Sequence, residues 1–265
     1  MDLGQSGARI KIDNQVSQLQ IAKLTTDSVV ETLEKIFKLL PQAQYSNVFL
    51  SLTGLLGNVG DVAPYGKLCE KFFNADQVFV MDDGLAAYLG ALGEKNGVVL
   101  TLGGGVVAVA GNNGKFGHAD GKGQIFGDFG GGFWVGQQGL RRAISTLDQR
   151  DDAHDLVKLL GAELESHSKL QNKTGVDAAT LCISAAKTVI QGAENGVTSA
   201  QEILKTAAKF LGATVVAAWS KVSDNTQEKP SITFVKAESD HLTGAPLAAK
   251  LYPQGVEPLF KIWKR

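Results

Sequence analysis

The chain has 265 residues, a formal net charge of −1, and 44% hydrophobic residues. This length is enough for one large domain or two lobes with a sizeable core, while the balanced charge excludes a basic field that would hold nucleic acid. No apolar run approaches the ~20 residues of a membrane span, and the first residues lack the basic-then-apolar pattern of a signal peptide, so we expect a cytoplasmic protein. Two distant cysteines, Cys69 and Cys182, exclude a disulfide framework and are predicted to be buried thiols.

The sequence opens with a glycine-containing turn. DLGQSGAR (residues 2–9), followed by the apolar arm IKI (10–12), predicts a hairpin whose first strand is short or begins upstream. A helix follows, because apolar residues then recur at helical spacing. Its expected cap is Thr26 or Asp27, and Pro41 ends it.

Strands and helices alternate in the next part of the chain. NVFLSL (47–52) predicts a buried strand that enters the turn TGLLGN (53–58). VFVM (78–81) predicts another strand, followed by a helix over 84–92. This alternation favours an α/β fold with a largely parallel sheet.

A second glycine turn lies between two apolar arms. VVLTLGGGVVAVA (98–110) predicts an antiparallel hairpin that repeats the strand–turn–strand pattern of the N-terminus, which indicates duplicated lobes. Two such turns suit the phosphates of a nucleotide and therefore indicate a phosphoryl-transfer site. After residue 133 the sequence is mostly helical, with SITFV (231–235) as the last expected strand.

Asp83 is the first candidate for chemistry, because it follows a strand and begins a helix. A carboxylate there can accept a proton from a hydroxyl nucleophile, and general-base catalysis of this kind contributes roughly 10²–10⁴-fold. The alternative role is a helix cap, which Asp82 or Asp83 could serve equally well. Position alone does not separate the two roles.

Two further acids lie beside glycine-rich turns. Asp2 adjoins the first turn, where backbone N–H groups and the Ser6 hydroxyl can cradle phosphate and a carboxylate can hold Mg²⁺ through water; it could equally stabilise the hairpin. Asp128, next to Gly127 in GDFGGG, can accept hydrogen bonds from sugar hydroxyls at a helix start, or cap that helix. His118 has no partner at metal-ligand spacing and is predicted to be a loop residue.

The order of these motifs resembles the BadF/BadG/BcrA/BcrD ATPase and N-acetylglucosamine kinase family, within the actin, sugar kinase and Hsp70 superfamily. DLGQSGAR resembles the first phosphate motif of that family, MDDGLAAYLGAL its Asp–Ala helix start, and VVLTLGGGVVAVA its second phosphate motif. The strongest resemblance is that of the segment GQIFGDFGGGFWVGQQGLRRAI, which is similar to the family's pattern G-x-x-x-GDEGSGYWIG. These motifs cover about half of the chain and keep the family's order.

The resemblance implies an α/β, two-lobed ribonuclease-H-like fold, with duplicated sheets and an interlobe cleft that closes on ATP, Mg²⁺ and a sugar. We accordingly expect an N-terminal lobe over 1–95, a C-terminal lobe over 96–251, and a C-terminal helix over 252–265 that packs back on the first lobe. The implied partner is a small-molecule sugar, with no nucleic acid and no membrane. A homodimer is left open.

The resemblance also assigns roles to single residues. Asp83 falls on the family's catalytic base, which deprotonates the sugar hydroxyl as it attacks the γ-phosphate of ATP. Asp2 falls on the carboxylate associated with Mg²⁺, and Asp128, beside Gly127, on a sugar-contacting acid. The two phosphate loops fall on residues of the two turns: Gly4, Gln5 and Ser6 for the first, and Gly103, Gly104 and Gly105 for the second.

Several residues depart from the family's motifs. Phe129 replaces an acid that helps to fix the sugar, Lys122 stands where Trp is common, and Val106 stands where the second phosphate loop usually offers Ser. The Gly–Gly pair expected after the adenosine-side strand is absent, because SITFV runs into KAESDHLTG. The departures concern the sugar and the adenosine, whereas the base, Asp83, is present.

Three hypotheses about function remain. The leading one is ATP-dependent phosphorylation of an amino sugar, either N-acetylglucosamine or a glucosamine-like hexose. The second is a regulatory protein that binds sugar or nucleotide with little catalysis, which the departures favour. The third is an ATPase that activates a partner enzyme; such activators place cysteines for an iron–sulfur cluster between subunits, and Cys69 and Cys182 show no such arrangement.

Overall fold

The computed structural model describes residues 1–4, 7–12, 15–19, 27–41, 43–164, 174–223 and 241–265. The chain forms two compact units. The first unit comprises residues 1–99, 108–119 and 218–265, and the second comprises residues 100–107 and 120–217. The lobe boundaries expected from the sequence, at 1–95 and 96–251, stay a prediction.

The bounds of the secondary-structure elements are as follows. The strands of the described residues are β1 (Asp2–Gly4), β2 (Gly7–Ile12), β3 (Gln15–Leu19), β4 (Asn47–Leu52), β5 (Gln77–Asp82), β6 (Gly97–Leu102), β7 (Val106–Asn112), β8 (Lys115–Asp120) and β9 (Phe260–Lys264). Their helices are α1 (Val29–Phe37), α2 (Ala63–Phe73), α3 (Asp83–Leu92), α4 (Gly123–Phe126), α5 (Gly132–Leu147), α6 (His154–Leu159), α7 (Gly161–Leu164), α8 (Gly175–Glu194), α9 (Thr198–Ser220) and α10 (His241–Leu251). The strand expected at SITFV lies outside the described residues.

A six-stranded sheet in the order β3-β2-β1-β4-β5-β9 forms the centre of the first unit. Strands β1, β4 and β5 are mutually parallel, whereas β2, β3 and β9 pair antiparallel to their neighbours. The predicted parallel sheet is thus confirmed at its centre, and antiparallel strands border it. Leu3, Leu50 and Val80 of the parallel strands are fully buried, so part of the core lies along these strands.

The N-terminus of α1 differs from the sequence prediction. Ser28 is the cap: its side chain accepts a hydrogen bond from the Glu31 N–H, while the Glu31 carboxylate accepts one from the Ser28 N–H at 2.7 Å. The predicted cap at Asp27 is therefore wrong, and Thr26 lies outside the described residues. The physical reason is the pairing of Ser with a Glu three residues later, which satisfies two backbone donors at once.

Replacing Ser28 with Ala is expected to lower the free energy of unfolding by about 1 kcal/mol, because one N–H group of the first helical turn loses its acceptor. Ser28→Thr keeps a hydroxyl at the same place and should unfold close to the wild type. Urea unfolding followed by circular dichroism measures both variants. Equal losses in the two variants would contradict the role of the hydroxyl.

The end of the chain is a strand, and the predicted helix over 252–265 is wrong in this segment. Strand β9 pairs antiparallel with β5, from Gln77 opposite Lys264 to Met81 opposite Phe260. FKIWK combines aromatic and branched apolar residues with two lysines, a composition that suits a strand at a sheet edge. The Trp263 ring packs where Gly66 has no side chain, since a Cβ atom there would lie 2.1 Å from the ring.

The second unit is mainly helical, as the sequence predicted. Helices α5 and α8 pack closely, because Gly136 and Gly139 of α5 face α8 without side chains. The Ala- and Val-rich segment that ends near Trp219 belongs to α9, a single helix of 23 residues. A separate three-stranded sheet in the order β6-β7-β8 has most of its residues in the first unit. None of the helices in the described ranges has the length and apolar character needed to cross a membrane.

Candidate active site

The carboxyl ends of three parallel strands meet at one edge of the six-stranded sheet. Leu3 lies beside Leu52, and Leu52 lies beside Asp82, in the register of β1, β4 and β5. The next residues, Gly4, Thr53 and Asp83, therefore lie at the same end of the three strands. Ligands of α/β proteins bind at such carboxyl ends. The structure thus gathers Gly4, the loop of residues 53–58 and the candidate base Asp83 within one unit.

Asp82 is the cap of α3, and Asp83 is the first helical residue. The Asp82 Oδ1 atom accepts a hydrogen bond from the Gly84 N–H at 3.0 Å, and the residue is only 2% exposed. Asp83 is half-buried. Because Asp82 carries the capping role, capping does not explain Asp83. The positive end of the helix dipole stabilises the Asp83 carboxylate in its charged form, as a base requires.

The carboxylate of Asp2 is buried between strands. Its Oδ2 atom accepts a hydrogen bond from the Arg9 guanidinium at 2.7 Å, and its Oδ1 atom accepts one from the Ser51 hydroxyl at 2.8 Å. Asp2 and Arg9 are opposite each other in the β1–β2 hairpin, which supports the hairpin-stabilising role weighed from the sequence. The neighbouring guanidinium repels a cation, so Mg²⁺ fits here only through intervening water. Gln5 and Ser6 lie outside the described residues.

The second glycine turn, Gly103–Gly105, is held against the start of α5 in the second unit. The N–H groups of Gly132 and Phe133 donate to the carbonyls of Gly103 and Gly104, at 2.8 and 3.0 Å. Gly103 is exposed, with open space where a Cβ atom would be. Within the described part of the chain, no protein acceptor is bonded to the N–H of Gly104 or Gly105. Gly104 and Gly105 are partly exposed, and backbone N–H groups without a protein acceptor can bind an anion.

Asp128 supports the second glycine turn from within the protein. It is 4% exposed, and its Oδ1 atom accepts a hydrogen bond from the Val106 N–H at 3.2 Å. A Cβ atom on Gly105 would lie 2.7 Å from its Oδ2 atom, so the turn and the carboxylate are in close contact. Gly131, and not Asp128, occupies the cap position of α5, so the capping role weighed from the sequence is wrong.

Two neighbours of Asp128 complete this part of the second unit. The Asp128 N–H donates to Asp120 at 2.8 Å, and Gly127 leaves room for the same Asp120 carboxylate, because a Cβ atom there would lie 2.5 Å from it. Phe129, at the position of the family's acid, is 39% exposed and packs against Phe210 with ring centroids 5.4 Å apart. The structure therefore brings Gly103–Gly105, Gly127 and Asp128 together.

Burial raises the pKa of the Asp128 carboxyl above its ordinary value of 3.8; the hydrogen bond from Val106 opposes this, and the charge of Asp120 adds to it. A raised native pKa stabilises the fold below the unfolded pKa, and this contribution is lost as the pH rises through the native pKa. Asp128→Asn can still accept from Val106 without this titration. We therefore expect the variant to gain stability relative to the wild type as the pH rises above about 4 and through the raised native pKa. Urea unfolding at several pH values in this range tests the expectation. A difference in the free energy of unfolding between variant and wild type that does not change with pH would contradict it.

One group of residues at the sheet edge was missed from the sequence. His118 is buried on β8 and not in a loop, and its Nε2 atom lies 3.5 Å from Asp82 Oδ1. Gly57, in the turn TGLLGN, donates its N–H to Asp82 Oδ2 at 3.1 Å. A glycine-rich turn at a strand end and an Asp–Asp pair at the next strand end were the available signals. The His118 contact joins residues far apart in sequence and leaves no local pattern.

The fold of this chain is similar to that of known structures. A protein assigned as an N-acetylglucosamine kinase from Chromobacterium violaceum superposes with a TM-score of 0.66 at 18% identity, covering 93% of this chain and 96% of that chain. A protein assigned likewise from Porphyromonas gingivalis gives a TM-score of 0.52 at 13% identity, covering 73% and 65%. A ROK family glucokinase from Streptomyces griseus, in complex with glucose and AMPPNP, gives 0.54 at 15% identity, covering 96% and 98%.

The fold is therefore that of the actin, sugar kinase and Hsp70 superfamily, as the sequence predicted. The model of the BadF/BadG/BcrA/BcrD ATPase family matches residues 16–235, which is most of the chain. The chain belongs to this family. No curated protein matches the sequence.

Proposed function

We propose that this protein transfers a phosphoryl group from ATP to a hydroxyl of an amino sugar, N-acetylglucosamine or a glucosamine-like hexose. The observation that carries the proposal is the edge of the six-stranded sheet, where Asp83 begins α3 beside the first glycine turn and the loop of residues 53–58. The family match and the fold shared with sugar kinases support it.

Asp83 is the proposed general base, which accepts the proton of the sugar hydroxyl. Its neighbour Asp82 carries the cap, so the Asp83 carboxylate is not needed to begin the helix. The adjoining helix N-terminus interacts favourably with a negatively charged carboxylate at this position. Catalysis of this type depends mainly on positioning and on charge stabilisation, because the protein contributes little covalent chemistry.

Each of the two glycine turns is a proposed phosphate-binding loop within its own unit. Gly4, Gln5 and Ser6 form the first proposed phosphate loop, and Gly103, Gly104 and Gly105 the second. ATP supplies the phosphoryl group when bound, and Mg²⁺ neutralises the charge of its phosphates. Asp2 would hold Mg²⁺ through water, since Arg9 and Ser51 already bond its oxygens.

Asp128 and Gly127 are the proposed sugar-side residues of the second unit. Asp128 accepts a hydrogen bond from the Val106 N–H and packs against Gly105. It therefore supports the backbone of the proposed sugar site and of the second phosphate loop. Phe129 offers a partly exposed aromatic ring in place of an acid. An aromatic ring contacts the C–H groups of a sugar and not its hydroxyls, so the sugar is bound differently from those of relatives with the acid.

A second candidate function is a regulatory protein that binds sugar or nucleotide without turnover. The ion pair of Asp2 with Arg9 and the burial of Asp128 favour it, because both carboxylates are used by the fold itself. Calorimetry separates the two candidates: sugar binding without nucleotide binding selects the regulatory protein.

The proposed function is tested by incubating the protein with ATP, Mg²⁺ and single sugars from a panel of amino sugars and neutral hexoses. Mass spectrometry should detect a sugar that has gained one phosphoryl group, with an amino sugar as the best substrate. A parallel thermal-shift screen should show a higher melting temperature with the same sugar, because a ligand of the native state stabilises it. Absence of any phosphosugar would contradict the proposal.

A further inference from the structure

Three separate segments of the first unit converge on the buried carboxylate of Asp82. The Gly84 N–H of α3 donates to Oδ1 at 3.0 Å, and the Gly57 N–H of the loop after β4 donates to Oδ2 at 3.1 Å. The His118 Nε2 atom of β8 lies 3.5 Å from Oδ1. With 2% of its surface exposed, Asp82 depends on these groups to offset the loss of water around its charge.

His118 fits closely against the loop of residues 53–58. Its side chain is 8% exposed, and a Cβ atom on Gly57 would lie 2.8 Å from the Cγ and Nδ1 atoms of its ring. Gly57 also has a φ of +77°, which glycine adopts without strain. The imidazole of His118 therefore packs against the backbone of Gly57. Both His118 and Gly57 also contact Asp82.

The contacts between Asp82 and His118 connect two parts of the proposed active site. Asp83 follows Asp82 directly, so the bonds of the Asp82 side chain restrain the Asp83 backbone together with strand β5 and helix α3. The loop of residues 53–58 is attached to the same carboxylate through Gly57. A base must be held within about 0.5 Å of its productive place, and a shift of about 1 Å can cost roughly 10²-fold in rate.

We propose that Asp82 and His118 form a positioning pair, which fixes the base Asp83 and the loop of residues 53–58 relative to each other. This inference rests on the proposed sugar kinase function. Neither residue is assigned contact with the sugar or ATP; both act through Asp83 and the loop.

The first test compares His118→Leu with His118→Gln. Gln has an amide N–H₂ group at a reach similar to Nε2, whereas Leu fills space without a donor. We expect kcat to fall by about tenfold or more in the Leu variant, with both KM values within about twofold of the wild type, and to stay within about threefold in the Gln variant. The concentration of active protein is fixed by titration with ATP, so partial unfolding does not imitate the effect.

The second test uses glycines of the same backbone conformation. Gly57→Ala places a methyl group against the His118 ring, and we expect kcat to fall by about tenfold with unchanged KM. Gly60→Ala is the control, because Gly60 has a φ of +65° and open space around its Cβ position. It carries similar backbone strain without contact and should keep the wild-type kcat.

The outcomes separate this inference from the proposed function. If the wild type forms sugar phosphate and His118→Leu keeps its kcat, or both His118 variants lose equally, the positioning pair is wrong. If the wild type forms no sugar phosphate, the proposed function fails. Hydrogen exchange then tests separately whether Asp82 and His118 form a positioning pair. His118→Leu should raise the exchange rate of the Gly57 amide by about tenfold relative to the Gly60 amide; an unchanged ratio would overturn the pair.

Discussion

Replacing Asp83 with Asn is expected to lower kcat for sugar phosphorylation by about 10²–10⁴-fold, the usual contribution of a general base. Asn has nearly the same shape but cannot accept the proton of the sugar hydroxyl. Binding does not depend on that proton transfer, so the KM values for sugar and ATP should stay within about threefold. Steady-state release of ADP, measured against sugar concentration, gives both constants.

The stability of Asp83→Asn is expected to stay close to that of the wild type. Asp82 retains the bond to the Gly84 N–H, so the start of α3 keeps its cap. Asp177→Asn is the matched control, because Asp177 is an exposed acid in the first turn of α8. It removes a similar charge from a helix start and should leave kcat unchanged. A wild-type rate in Asp83→Asn would end the assignment of the base.

Replacing Gly136 with Ala is expected to destabilise the second unit by about 1–3 kcal/mol, the usual cost of an added methyl group in a packed interior. An ideal Cβ atom at Gly136 would lie 1.7 Å from the carbonyl oxygen of Cys182, whereas ordinary contact begins near 3.4 Å. The obstacle is backbone of α8, so no side-chain rotation relieves it. Helices α5 and α8 must therefore move apart, and their shared core loses contact.

Gly212→Ala is the control for this prediction, and its expected change in the free energy of unfolding has the opposite sign. Gly212 is an exposed residue within α9, and its Cβ position has nothing within 4 Å. Ala is about 1 kcal/mol better than Gly inside a helix, so this variant should be more stable than the wild type. Urea unfolding of the two variants measures both signs. A stabilised Gly136→Ala would contradict the close packing of α5 on α8.

The parts of the fold that local patterns determine could be predicted from the sequence. NVFLSL formed β4 as predicted, because a continuous apolar run suits a strand buried on both faces. The strand before Asp83 and the helix after it were also predicted, and the fold class is confirmed. The cap of α1 was missed, although Ser28 and Glu31 show the S-x-x-E spacing of a capping box.

The parts that distant contacts determine could not be predicted. Strand β9 was taken for a helix because its five residues do not show a clear strand period, and its partner β5 lies far away in sequence. His118 was placed in a loop because nothing near it in sequence shows the Asp82 carboxylate that it faces. Likewise, Asp128 was predicted to contact a sugar or to cap a helix, whereas it is 4% exposed and accepts a hydrogen bond from the Val106 N–H, which lies 22 residues away in sequence.

The most direct measurement is the rate of ADP release by the wild type and by Asp83→Asn, with ATP and Mg²⁺, in the presence and absence of N-acetylglucosamine and of glucosamine. The proposed function predicts that one of these sugars stimulates the wild type at least about tenfold, and that the variant loses this stimulation. ADP release that is equally fast without sugar, or equally stimulated in Asp83→Asn, would contradict it.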